Sequence, residues 1–436
     1  MSSGLMGVIP CTLIRLFRDR GFLVRYRDLF AVREFRLLYA GLASSYAGDQ
    51  LAALAVSVLV LDRTGSGILS GLAYASAYLP SLVAAPLLGA LADRLPRRGL
   101  LIACDLARSA LVSAMLIHGL PVWALVVLLY AASLFTPPFM AARSALIAEI
   151  LPVDAAVTGN GLIRVTHQLS QVLGLALGGL AIGWIGPEGA LACNALTFAV
   201  SAALSAGLRP RPRPAGSGSV LGGSRAGVRY VFADPWLRGC LLLVWPVSMF
   251  VYAPEAVVYL YATSLGGGAP LAGLMLSSAA LGFASGTVLL TRLVPPRTRD
   301  RLLIPFAILA GAALIPLWAK PSPPVVVVLL FASGVGGAFS APLNALFVQR
   351  VSPEFRGRAM GVAVAGLAGG QGLGFLLAGA LSSAGLHPAA LWAGCGAAAT
   401  LAALLAALTW ARDTPPPSSS SSAGLGTPVR ETADKR

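Results

Sequence analysis

The chain has 436 residues, of which 57% are hydrophobic and only 11% charged, and its mean hydropathy is +0.79. A soluble domain gives about a quarter of its residues to charge, so this composition excludes a water-soluble globular protein. The formal net charge of +15 does not point to nucleic acid either, because the arginines fall in short clusters between apolar runs, an arrangement that suits anionic lipid headgroups.

Residues 1–34 form an arm with Arg15, Arg18, Arg20, Arg25, Arg27 and Arg33 spread along it. No short apolar core with a small-residue cleavage site follows, so no removable signal peptide is predicted. Segment 11–30 alternates apolar and basic residues and reads either as an amphipathic surface helix or as a loose cytoplasmic arm.

Apolar spans then recur at 36–61, 68–92, 99–118, 121–147, 156–185, 189–208, 236–263, 269–292, 301–319, 323–349, 357–383 and 387–411. Each is long enough to cross a hydrocarbon core of about 30 Å as a helix. A helix satisfies its backbone within its own segment, and barrel strands would alternate polar with apolar residues. The expectation is therefore an all-α membrane protein of twelve transmembrane helices. Its parts are the arm at 1–34, six helices in 35–208, a linker at 209–235, six helices in 236–411 and a tail at 412–436.

The arginines test that count. Alternate connections hold Arg94, Arg97 and Arg98, then Arg143, then Arg209, Arg211, Arg213, Arg225 and Arg229, then Arg292, Arg297, Arg299 and Arg301, and last Arg350, Arg356 and Arg358; the remaining connections hold only Arg63 and Lys320. The asymmetry predicts a multi-pass protein of the plasma or inner membrane with both termini in the cytoplasm. The stretch Arg209-Pro-Arg-Pro-Arg-Pro-Ala-Gly-Ser-Gly-Ser cannot form a helix and reads as the linker between two halves. The tail, with Pro415 to Pro417 and Ser418 to Ser422, reads as disordered.

The halves repeat in order. Gly71-Leu72 matches Gly273-Leu274, Phe135-Thr-Pro-Pro matches Phe339-Ser-Ala-Pro, and Gly174-Leu-Ala-Leu-Gly178-Gly179 matches Gly374-Phe-Leu-Leu-Ala378-Gly379. Parallel six-helix repeats place a binding site between them near the midplane. The glycines of span five are expected to share one helical face and to permit close packing against a neighbour.

Between spans two and three stands Gly89-Ala-Leu-Ala-Asp93-Arg94-Leu-Pro-Arg97-Arg98. It resembles the Gly-x-Leu-x-Asp-Arg-x-Gly-Arg-Arg signature of the major facilitator superfamily, with Pro96 where a glycine is usual. The resemblance runs over about residues 34–411. Gly48-Asp49, Arg143-Ser-Ala-Leu-Ile and Pro353-Glu354-x-Arg356-Gly357-Arg358 are similar to the branch holding enterobactin and macrolide exporters. It implies the fold of that family, two pseudo-symmetric six-helix bundles. It also implies a latch of Gly89, Asp93, Arg94, Arg97 and Arg98, joined here by the Asp105–Arg108 pair, that holds the outward-facing state; Glu354, Arg356 and Arg358 form the matching loop of the second half. Gly174, Gly178 and Gly179 resemble an antiporter motif in which Leu175 replaces the proline.

Ionisable residues inside spans are costly, at about 2.5–3.5 kcal/mol each on insertion scales, and so mark function. Asp49 near the middle of span one is a candidate proton or substrate carrier, or a paired carboxylate. Arg164 and His167 share a face of span five. Arg164 is a candidate partner of Asp49 or of an anionic substrate group, unless it snorkels to the surface; His167 is a proton relay or a packing histidine. Glu255 in span seven faces either the substrate path or the outer interface. Tyr46, Tyr74, Tyr78, Trp245, Tyr252 and Tyr259 are candidate cavity or interfacial aromatics.

Cys11, Cys104, Cys193, Cys240 and Cys395 lack metal-ligand or disulfide spacing, and the only lysines are Lys320 and Lys435, so no phosphate-binding glycine loop carries one. No metal, cofactor or enzymatic activity is expected. The predicted function is proton-coupled export of a small drug-like or siderophore-like compound by a monomer in the lipid bilayer. Uptake, lysophospholipid transport and a non-transporting sensor are the alternatives.

Overall fold

The computed structural model describes residues 26–76, 79, 95–210, 221–352 and 354–413. Gly89, Asp93 and Arg94 of the expected latch, Tyr78, and the larger parts of the arm and tail lie outside them, as does the side chain of Arg164.

All the regular structure among the described residues consists of helices. In the N-terminal half these are α1 (Tyr26–Ala31), α2 (Arg33–Thr64), α3 (Gly67–Ala75), α4 (Arg97–Ala114), α5 (Val122–Leu134), α6 (Thr136–Ile150) and α7 (Val153–Ala206). The C-terminal half holds α8 (Leu221–Ala233), α9 (Pro235–Tyr252), α10 (Val258–Ser264), α11 (Gly268–Val288), α12 (Pro296–Ala312), α13 (Pro323–Gly337), α14 (Ser340–Arg350), α15 (Arg356–Ser383) and α16 (Pro388–Asp413).

Nine helical runs among the described residues are long and apolar enough to cross a membrane. The 49-residue run Thr158–Ala206 is two spans, because α7 breaks at Gly186, whose φ of 72° favours glycine, and at Pro187, which donates no hydrogen bond. The helix α4 falls short on composition, since Arg97, Arg98, Asp105 and Arg108 lie within it. With α4 and the second span of α7 the described residues hold eleven spans, and α3 falls in the expected second span, most of which lies outside the described residues.

Spans four and ten are each two helices, α5 with α6 and α13 with α14. The breaks fall at Phe135-Thr-Pro-Pro and Phe339-Ser-Ala-Pro, the matched segments of the repeat, and Pro137 and Pro138 open α6. Span seven also breaks, at a 3-10 turn Ala253–Val257 that carries Pro254 and Glu255. The N-terminus of α9 is capped by Asp234, whose carboxylate accepts from the Trp236 and Leu237 backbone N–H groups at 2.8 and 3.2 Å. The expected 209–235 linker contains α8. Its apolar side docks on the C-terminal half through fully buried Val231 and through Tyr230, which stacks on Phe355 at 4.5 Å.

Large apolar side chains, among them Leu177, Leu401 and Leu408, stand exposed on the outside of the bundle, as a surface facing lipid requires. Trp123, Trp184 and Trp318 are also exposed, and all three sit beside connections that lack arginine clusters. They mark one rim of the apolar belt.

The two halves meet unequally at the two ends. Toward the arginine-poor end they share a core in which Leu54, Val58 and Phe198 pack with Tyr261, Met275 and Trp392. Toward the arginine-rich end each half has its own core, one around Phe35, Leu101 and Phe139, the other around Leu237, Leu303 and Phe347.

Two glycine seams close the arginine-poor end. A Cβ on Gly179 of α7 would lie 2.6 Å from the Ala269 carbonyl oxygen and 3.1 Å from the Gly273 Cα of α11. A Cβ on Gly71 of α3 would collide with the Phe375 carbonyl and lie 3.1 Å from the Gly379 Cα of α15. Because Gly71 matches Gly273 and Gly179 matches Gly379, the repeat relates one seam, Gly179 on Gly273, to the other, Gly71 on Gly379. Hydrogen bonds also join this end, among them Ile68 N–H donating to Ser383 Oγ at 2.8 Å and Ser70 Oγ–H donating to the Ala256 carbonyl at 2.7 Å.

Candidate functional site

A cavity of about 510 Å³ lies between the halves, bounded at one end by the shared core. Both halves line it, α2, α3, α4 and α7 from one side and α9, α11, α13 and α16 from the other. Its volume falls within the range of ligand pockets, about 300–1,000 Å³. The walls are mixed. Tyr74, Phe198, Tyr252, Phe283 and Trp392 give aromatic surface, Gln50, Gln168, Gln171 and Asn194 give amides, and Asp49, Arg108 and Glu255 give charge.

The charges of the N-terminal half form a network. Arg108 is 5% exposed, and its guanidinium donates to Asp105 Oδ1 at 2.6 Å. The two residues are three apart on α4 and so share a face. The same guanidinium lies 4.7 Å from the Phe139 ring centre and 4.3 Å from that of Phe198, a cation held between two aromatic faces. Asp49 on α2 feels the charges of both Arg108 and Asp105. Two carboxylates therefore lie in the field of one guanidinium, which is hydrogen-bonded to Asp105.

Arg108 is a positive charge whose field reaches Asp49; the side chain of Arg164, the partner expected from the sequence, lies outside the described residues. The structure also separates Asp105 and Arg108 from the loop they were grouped with, placing them two to three turns into α4. Of the loop itself, Arg97 pairs with Glu149 and donates to the Ala145 carbonyl at 3.1 Å, while Arg98 donates to the Ala206 carbonyl at 2.5 Å. These bonds stay within the N-terminal half.

Arg143 was read as a loop charge. It lies midway along α6, 6% exposed, and donates to Tyr46 Oη at 2.6 Å. The Tyr46 ring meets His167 edge-on at 4.7 Å, which places His167 in packing contact as well as on the cavity wall. The sequence signal that identifies Arg143 is its place six residues beyond Pro137, inside a helix that continues to Ile150.

Glu255 faces the cavity and not the outer interface. No arginine, lysine or histidine pairs with it among the described residues. Tyr74 and Tyr252 line the cavity as expected, Trp245 donates to the Ala363 carbonyl at 3.1 Å, and Tyr259 packs against the shared core. Phe198, Phe283 and Trp392 are lining residues that sequence reasoning missed, because apolar aromatics in apolar spans carry no distinguishing local signal.

The span-five glycines do not share one neighbour. Gly174 and Gly178, one turn apart, press on Gln50 and Leu51 of α2, whereas Gly179 presses on α11 of the other half. The expected common face is corrected by helix geometry, since one further residue turns about 100°. In the second-half loop, Glu354, Arg356 and Arg358 are exposed; Arg358 lies over Phe355 at 5.3 Å, and its backbone packs against Gly227 of α8.

Known proteins resemble the chain over most of its length. Multidrug efflux pump Tap of Mycolicibacterium fortuitum is 30% identical over 376 residues, covering 80% of this chain and 90% of that protein. Macrolide efflux protein A of Streptococcus pyogenes is 25% identical over 342 residues, covering 74% and 83%. Among solved structures, a bacterial homologue of the human lysosomal transporter Spinster, in an inward-facing and occupied conformation, superposes with a TM-score of 0.67 at 17% identity, covering 89% of this chain and 99% of that one. Nucleoside transporter NupG superposes at 0.64 with 16% identity, covering 86% and 99%. The sequence profile described as the Major Facilitator Superfamily matches residues 38–319 and 256–434. The twelve-span architecture, the paired glycine seams and this match over most of the sequence establish that the chain is a transporter, not an enzyme, and belongs to the Major Facilitator Superfamily.

Proposed function

We propose that the protein exports small amphipathic compounds from the cell in exchange for protons, by alternating access. The observation that carries the reading is the cavity between the halves with Asp49 on its wall, in the field of an Arg108 that is hydrogen-bonded to Asp105. A membrane-embedded charge is costly unless it is compensated, so the cluster has reason to take up one proton when the cavity opens to a proton-rich side and to release it on the other.

The positive-inside rule assigns the arginine-rich end to the cytoplasm, with both termini there. The shared core and glycine seams then close the outer side, and the conformation is inward-facing. Export draws support from relatives named as multidrug and macrolide efflux proteins. The mixed aromatic and amide wall suits compounds with both apolar and polar parts.

Within the cycle, Asp49 carries the proton and Arg108 with Asp105 holds it in place. His167 packs against Tyr46 at the cavity edge, and Arg164 of the same helix attracts an anionic group of the substrate. Gly89, Asp93, Arg94, Arg97 and Arg98 serve as the cytoplasmic latch, and Glu354, Arg356 and Arg358 as the matching loop of the second half. The transport path lies within one chain, so a monomer suffices.

Proteoliposomes with an imposed pH gradient test the reading. Wild-type protein is expected to accumulate substrate against its gradient only when protons flow the other way. Asp49→Asn is expected to lose this accumulation yet keep substrate exchange without a gradient. Proton-coupled accumulation undiminished in Asp49→Asn would remove Asp49 as the carrier, and accumulation in the direction of the proton flow would replace export with uptake.

A further inference from the structure

Three charged side chains line the cavity, and their surroundings differ. Asp49 has Arg108 as a neighbour, and Arg108 is fixed by Asp105 at 2.6 Å and by two aromatic rings. A bulky cation approaching Asp49 therefore also approaches an immobile guanidinium and is repelled. A proton is not excluded in this way, because it bonds directly to a carboxylate oxygen and needs no room. Glu255 sits in the other half with no cation beside it among the described residues. Tyr252, Tyr74, Phe283 and Trp392 line the same cavity and offer π-faces to a positive charge.

Resting on the reading of this cavity as the substrate site, we propose that Glu255 anchors the positive group of a hydrophobic organic monocation, while Arg108 reserves Asp49 for the proton. The substrate and the proton then occupy different carboxylates, one in each half. The anchor also borders the seam that must open. Glu255 lies on the Ala253–Val257 turn, and the next residue, Ala256, accepts the hydrogen bond from Ser70 of the N-terminal half at 2.7 Å. A cation drawn to Glu255 thus presses on a part of span seven that is tied across the halves.

The test uses the full-length protein in detergent with two probes of similar size, tetraphenylphosphonium, a monocation, and triphenylphosphine oxide, which is neutral. Equilibrium dialysis gives each Kd. Glu255→Gln is expected to weaken tetraphenylphosphonium binding by about ten-fold or more, equivalent to about 1.4 kcal/mol. Glu255→Asp, which keeps the charge, is expected to stay within about three-fold of wild type, as is Asp49→Asn. Triphenylphosphine oxide is expected to bind wild type and Glu255→Gln alike, which also shows that the variant is folded. Tetraphenylphosphonium binding that survives Glu255→Gln, or that is lost in Asp49→Asn instead, overturns the assignment while oxide binding leaves the cavity reading standing. Failure of wild type to bind either probe overturns both.

Discussion

The two halves share a backbone plan and divide the chemistry unequally. Every buried charged residue among those described, Asp105, Arg108 and Arg143, is in the N-terminal half. The register that relates Gly71 to Gly273 takes Leu100-Leu101-Ile102 to Leu302-Leu303-Ile304, and it takes Asp105 and Arg108 to Ala307 and Ala310. Both alanines are fully buried. In the same register Asp49 corresponds to Val251, and Glu255 corresponds to Ala53; all four line the cavity. Glycine and proline positions therefore repeat because they shape the scaffold, which both halves need. Carboxylates do not repeat, because an ionisable group in a membrane core is costly and is kept only where a function requires it.

The sharpest way to break this comparison is at the buried pair. Arg108→Leu leaves Asp105 buried without its cation and is expected to destabilise the protein by about 3–5 kcal/mol, seen as a large fall in Tm in detergent. Replacing both partners together with apolar residues is expected to recover much of the loss. An unchanged Tm in the single variant would mean that the pair is solvated and that the N-terminal half is no more charged at its core than its counterpart.

The seams test the shared part of the plan. Gly179→Val and Gly71→Val each place a side chain against the backbone of the other half, an overpacking worth about 1–3 kcal/mol against closure of the arginine-poor end. Spin labels at Thr64 and Ala384 should report a longer separation in both variants. Gly361→Ala, where nothing lies within 4 Å of an added Cβ, should leave it unchanged. If the two seams differ in effect, the pseudo-symmetry of the fold does not extend to its motion.

Smaller effects sharpen the contrast. Tyr46→Phe removes the described hydrogen-bond partner of Arg143 and is expected to cost about 1.5–3 kcal/mol, as for other bonds to a buried charge, again by Tm. At the surface of the other half, Arg350→Ala breaks a 3.4 Å pair with Asp234 in which the arginine side chain is 60% exposed, and a change under about 1 kcal/mol is expected. A larger loss there would show that the Asp234 cap of α9 depends on the pair.

Much of the site was visible in the linear sequence as composition out of place. Asp49 and Glu255 stand out because carboxylates are rare in apolar spans, and both reach the cavity. Arg143 was misassigned, because positive charge near a span end and positive charge inside a proline-opened helix look alike until the helix boundary is known. That the charge of Arg108 reaches Asp49 depends on which helices adjoin α2, and spacing within one helix carries no information about that.

The sequence by itself determined the solvent, the number of spans and the twofold repeat. Those follow from local sums, apolar length against bilayer thickness and arginine against loop position, which need no knowledge of neighbours. Only the tertiary structure decided which glycines meet across the halves, which carboxylate shares Arg108 and which is left alone, and which end of the cavity is sealed. Such pairings join residues on different helices, far apart in the chain, and their energies arise from contact and desolvation, quantities that exist only once the helices are packed.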